Sequence, residues 1–127
     1  MLLRFTKKFL HTRPEQYKLR KFLLDNSDPI CIFCQKEFPK YVLECAHIKP
    51  RILSSQKERH DFNNINWMCR NCHKIYDFGH ISIDLDGELV KNNEITNFDL
   101  DFHIKKNEYL KSKDYFTFHY NNIFKNN

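Results

Sequence analysis

The sequence predicts a small α+β fold, and three features carry that reading. Two C-x-x-C pairs, Cys31/Cys34 and Cys69/Cys72, stand 34 residues apart with strand-forming stretches between them. The segment ISIDLDGELV (81–90) alternates apolar and polar residues around an Asp-Gly pair, which is a hairpin pattern. Helix-forming stretches flank both features. A chain of 127 residues suffices for one modest core, so residues 1–127 read as a single domain.

Taken in order, PEQYKLRKFLLD (14–25) predicts a helix. Pro14 suits its first turn, and Tyr17, Phe22, Leu23 and Leu24 supply an apolar side. NSDP (26–29) ends it, and ICIFCQKEF is a tight turn carrying the first Cys pair. YVLECAHI (41–48) favours a strand that Pro50 limits. RILSSQKERHDFNN reads as a polar loop, INWM as a return strand, and CRNCHKIYDF as a helix ending at Gly79. After the hairpin, KNEYLKSKDYFTFHYNNIF (106–124) reads as a helix whose aromatic stripe, Tyr109, Phe116, Tyr120 and Phe124, belongs to the core. The tail NNIFKNN is expected to fray.

Lys and Arg total 21 against 16 Asp and Glu, a surplus that suits a polyanionic partner. The basic residues Arg4, Lys7, Lys8, Arg13, Lys18, Arg20 and Lys21 cluster at the start, where they either track phosphates or solvate a helix. No apolar run approaches the roughly 20 residues that span a bilayer, so no membrane partner is expected. The first fourteen residues lack both acids and an uninterrupted apolar segment. They read better as an amphipathic surface helix than as a targeting segment, and a cytoplasmic location is the expectation.

Five cysteines without an export signal argue against a disulfide framework. Cys69-x-x-Cys72-His73 also matches a haem attachment signature, but that reading strands the other C-x-x-C pair. Two such pairs suit a closed tetrahedral Zn²⁺ site, in which Cys31, Cys34, Cys69 and Cys72 leave no position open for substrate. Cys45 is the odd one out and needs no function beyond being small and buried.

His73 and Asp77 then remain. Residues four apart share a helix face, and His73 lies about 100° around the axis from Cys72, so it can point away from the zinc. An imidazole and a carboxylate on one face make half of a site for a second, harder metal, although taken alone such a pair is better read as capped, solvated residues.

LECAHIKP, NINWMCRNCH and YDFG (76–79) together resemble the HNH endonucleases of the ββα-metal type, closely over residues 28–79. A weaker likeness continues through ISIDLDGEL and YFTFHYNNIF, as in restriction-type members. The resemblance implies a ββα-metal core at 28–79, a basic helical extension at 1–27, and a hairpin and helix at 80–127.

It also implies roles. His47 is the expected general base, for which an imidazole with a pKa of about 6.5 is suited. Asn63, Asn64 and Asn66 compete for the orienting asparagine. Asn64 fits the family pattern, nine residues before His73 and five before Cys69. His73 and Asp77 are the expected ligands of a catalytic Mg²⁺ or Mn²⁺, and Lys49 and Arg51 the expected contacts to double-stranded DNA. Many members carry a metal ligand immediately before the base, where this chain has Ala46. Glu44, water or the DNA is left to complete the sphere.

The function implied is metal-dependent hydrolysis of DNA, of the restriction type, leaving 5′-phosphate and 3′-hydroxyl ends. Double-strand cutting at a symmetric site favours a homodimer. A phage or homing-type nicking enzyme and a non-catalytic zinc-knuckle module that binds nucleic acid are the alternatives.

Overall fold

Helix α1 (Glu15–Asn26) follows Pro14 in a computed structural model that describes residues 13–95 and 102–125. Its inward face is Leu19 and Leu23, four residues apart, together with the buried Glu15. Tyr17, expected on the apolar side, is 66% exposed, because it lies about 140° around the axis from the midpoint of Leu19 and Leu23. Phe22 instead stacks on Phe62, ring centres 4.1 Å apart. The surface helix expected of the first residues lies mostly outside the described residues.

The first Cys pair sits in a turn closed by the Ile30–Glu37 bridge, with Gln35 at φ 59° reversing the chain. Strand β1 (Glu44–His47) then pairs antiparallel with β2 (Ile65–Met68), setting Glu44 opposite Met68 and His47 opposite Ile65. Pairing covers only half of the strand-forming run 41–48, since Val42 is held in a turn by Pro39.

The stretch between the strands, read as loop, has structure of its own. It contains a 3-10 turn (Arg51–Leu53), helix α2 (Gln56–Arg59) and a second 3-10 turn (Phe62–Asn64). Ser55 and Glu58 form a reciprocal capping box on α2.

Helix α3 (Arg70–Asp77) follows β2, and Cys69 is its N-cap. It ends at Gly79 (φ +78°), where a Cβ would collide with the Ile123 carbonyl. Only glycine fits there, for reasons of both dihedral and space.

Strands β3 (Ile81–Ile83) and β4 (Leu89–Lys91) form the second ribbon. The Asp84 carboxylate accepts from the backbone of Asp86 and Glu88 and shapes the connection between them. The C-terminal helix is two helices, α4 (Lys106–Lys111) and α5 (Lys113–Asn122), broken at Ser112. Its hydroxyl donates to the Asn63 carbonyl at 2.6 Å.

Tyr109 and Phe116 enter the core, whereas Tyr120 and Phe124 are half-buried and stack on each other at 5.7 Å. The tail does not fray as far as Lys125, whose N–H donates to the Gly79 carbonyl at 2.9 Å.

Tyr76 of α3 is the hub of the core. Its ring stacks on His119 at 3.6 Å and meets Phe33 and Phe116, and its hydroxyl donates to the Ile48 carbonyl at 2.9 Å. These contacts fix the rotation of α3 about its own axis, which decides where every side chain on it points.

Candidate active site

Four sulfur atoms, from Cys31, Cys34, Cys69 and Cys72, lie within 4.8 Å of one another. A tetrahedral zinc with Zn–S bonds of about 2.3 Å holds its sulfurs about 3.8 Å apart, within reach of this cluster, so the four cysteines can hold a metal such as zinc. Burial pushes the Cys34 thiol up to about 11, helped by the neighbouring sulfurs, and a bound cation would reverse that preference. The Cys72 N–H points at Cys69 Sγ at 3.4 Å, a contact that suits a thiolate.

Away from the sulfurs, α3 presents His73 and Asp77. His73 Nε2 lies 3.1 Å from Asp77 Oδ2, and Nδ1 lies 2.7 Å from Glu44 Oε1 on β1. One imidazole therefore spans two carboxylates. Burial works against its charged form, yet Asp77 and Glu44 outweigh burial and hold its pKa above the usual value. Glu44 stands on the opposite ring nitrogen of His73 from Asp77. Among the described residues only the four cysteines bring three or more candidate ligand atoms together. His73 and Asp77 thus stand as a pair of adjacent polar groups, not as part of a larger cluster.

His47 ends β1 and is 7% exposed. Its Nε2 lies 3.0 Å from the Arg59 carbonyl, which can only accept, so Nε2 carries the proton and Nδ1 keeps a free lone pair. Burial leads the effects that lower its pKa, so the ring is neutral at neutral pH.

Asn64, fully buried, organises the segment that supplies that carbonyl. Its Oδ1 accepts from Lys49 N at 2.8 Å, while Nδ2 donates to the Glu58 carbonyl at 3.1 Å and faces Ser54 Oγ at 3.3 Å. Both ends of the 49–58 segment are stapled by one side chain, next to the carbonyl that His47 uses. Of the competing residues, Asn66 donates to Glu108 at 2.6 Å, and Asn63 is exposed.

His47, His73 and Asp77 line one cleft of about 380 Å³, whose other walls include Arg13, Gln16 and Arg51. The two residues expected to touch DNA are already engaged. Lys49 Nζ lies 2.9 and 3.1 Å from the Glu58 carboxylate and 4.4 Å from the Phe118 ring centre. Arg51 donates to the buried Glu15. Sequence reasoning missed Glu15 and the Arg59 carbonyl because both act from a distance along the chain. Glu44 was legible in part, three residues before His47.

Residues 31–84 match the family model for HNH endonuclease. This segment is an HNH endonuclease domain. The match takes in both Cys pairs, His47, Asn64, His73 and Asp77, and its family is one of nucleases that act on DNA. Helices α1, α4 and α5 lie outside the matched segment. The ββα core expected from the sequence is β1, β2 and α3, with the cysteine cluster beside it. No curated protein matches the chain. Among the described residues, no helix is long and apolar enough to cross a membrane.

Proposed function

We propose that the chain is a metal-dependent DNA endonuclease of the restriction type. One observation carries this: a neutral histidine with its acceptor nitrogen free lines the same cleft as an imidazole–carboxylate pair on the facing helix.

In this reading Nδ1 of His47 takes the proton from a water as the water oxygen bonds to phosphorus. The bond to the 3′ oxygen breaks, leaving a 5′-phosphate, and the departing oxygen is protonated from solvent. The Arg59 carbonyl keeps the ring in the correct tautomer, and Asn64 keeps that carbonyl in place. His73 Nε2 and Asp77 would hold the divalent metal, an N/O donor pair suited to Mg²⁺ or Mn²⁺, with water and phosphate oxygens filling the remainder. When bound, such a cation neutralises charge growing on the phosphate and on the leaving oxygen. Glu44 fixes the His73 ring through Nδ1, as carboxylates do behind metal-bound histidines. The cysteine site would hold zinc structurally. A double-strand cut would call for two copies of the chain, one for each strand.

The test is incubation of supercoiled plasmid with the purified protein and Mg²⁺ or Mn²⁺, beside His47→Ala. Metal-dependent conversion to nicked or linear DNA, lost in the variant, is the expected result. Binding without cleavage by the wild-type protein would instead leave a zinc-knuckle binding module.

A further inference from the structure

The cleft needs a cation for its substrate, and both residues that sequence position suggested are engaged in internal ion pairs. Resting on the nuclease reading above, we propose that Arg13, just before helix α1 and outside the family-matched segment, is the residue that grips a DNA phosphate in this cleft.

Arg13 lines both the His47–His73–Asp77 cleft and the adjoining cavity of about 340 Å³ bounded by Leu43, Glu44 and His73. The two cavities share Arg13, Gln16, Cys45 and His73, and of these Arg13 and Gln16, three residues apart, lie on one side of the chain's first turn. Arg13 is exposed, and among the described residues no side chain accepts from its guanidinium. Its charge is felt at His47, which it helps keep neutral.

The other described cations of the basic N-terminal stretch are spent or elsewhere. Arg20 donates to the Leu43 and Lys40 carbonyls at 2.9 and 2.6 Å and covers Trp67. Lys21 pairs with Asp25 at 2.7 Å. Lys18 lines neither cavity.

The start of α1 is also pinned with unusual care. Glu15, 4% exposed, takes the Arg51 guanidinium, and Gln16 Nε2 donates to the Cys45 carbonyl at 2.9 Å on the strand that carries His47. Burial alone would raise the Glu15 pKa; Arg51 more than offsets it, so the pair stays ionised. A buried ion pair is a poor source of stability, but it fixes geometry. Here it fixes Arg13 over the cleft. Arginine suits the task, since its planar fork matches two phosphate oxygens at once.

The test uses the full chain with Arg13→Ala, Arg13→Lys and, as a matched loss of one exposed charge, Lys36→Ala. Plasmid cleavage with Mn²⁺ and the salt dependence of binding to a short fluorescein-labelled duplex, without chelator and without added Mg²⁺ or Mn²⁺, are both measured. Arg13→Ala should cut about 100-fold more slowly and lose about one from the logarithmic salt slope, with Arg13→Lys recovering the slope and part of the rate. Lys36→Ala should match wild type in both.

If Arg13→Ala cuts and binds as wild type does, the proposal falls while the nuclease reading stands. If wild type cuts nothing yet Arg13→Ala still loses its slope, the phosphate contact stands and the nuclease reading falls. If neither cleavage nor a slope change is seen, both fall. Zinc content or melting temperature lowered in Arg13→Ala would make the residue structural and overturn the proposal.

Discussion

On one side of helix α3, Cys69 and Cys72 meet Cys31 and Cys34 in a buried group of four like donors. On the other, His73 and Asp77, 26% and 45% exposed, offer one nitrogen and one carboxylate to an open cleft. The same helix thus carries a closed set of four donors and, in the proposed reading, a second set that is incomplete. Closure suits a metal that holds the chain together; incompleteness suits a metal that must still reach a substrate. Tyr76 keeps the two apart, since a helix locked by its stack on His119 cannot turn one set of ligands toward the other.

The largest expected effect tests the closed side. Cys72→Ser, or removal of metal by a strong chelator, should unfold the chain, because structural zinc contributes on the order of 10 kcal/mol to a small domain. Circular dichroism and zinc content follow this directly. A folded, metal-free Cys72→Ser would break the contrast.

On the open side, His47→Ala should lose about a thousandfold in cleavage while its melting temperature and zinc content hold. For the wild-type protein, kcat/KM should be level at neutral pH. It should fall only below an apparent pKa under the usual 6.5, since burial favours the neutral base. An acid limb above pH 7 would mean that another group carries the proton.

Asn64→Ala should show both losses at once. Its buried amide staples the 49–58 segment, so about 1–3 kcal/mol of stability goes with it, and cleavage falls as the Arg59 carbonyl drifts. Chemical denaturation together with rates separates the two.

Glu44→Gln is a smaller perturbation, since the amide oxygen still accepts from His73. A weakening of about tenfold in apparent Mg²⁺ or Mn²⁺ affinity is expected from titrating the rate with metal.

The mildest effect is on stability with pH. His119 is buried with Nε2 facing the Tyr76 carbonyl and Nδ1 accepting from Ser82, and burial depresses its pKa to about 4. The unfolded chain, with a histidine pKa of about 6.5, then binds more protons than the native one, so stability falls as acid is added. Between pH 7.5 and 5.5 that amounts to about 1 kcal/mol, a range in which denaturant titration should show it and His119→Gln should flatten it.

How much of this was readable in advance depends on how far apart the partners are. Each C-x-x-C pair and the hairpin with its glycine were legible because each is a local pattern of spacing; that the two pairs meet followed from the chemistry of four thiols, and the order of His47, Asn64 and His73 from the family resemblance. Lys49 and Arg51 look free in the sequence, yet Glu58 and Glu15 take them. Nothing short-range marks Glu15, 36 positions away, as the partner of Arg51. The aromatic stripe misled for a related reason: the break at Ser112 resets the helix, and Tyr120 and Phe124 no longer follow Tyr109 inward. Tyr76 announced itself only as one aromatic among many, and its place at the centre follows from packing.

The bond between the His47 ring and the Arg59 carbonyl turns the intervening twelve-residue step into a ruler. Adding or removing a single residue there would rotate the peptide that the ring reads and release it into the wrong tautomer. Length variation should therefore be rejected between β1 and α2.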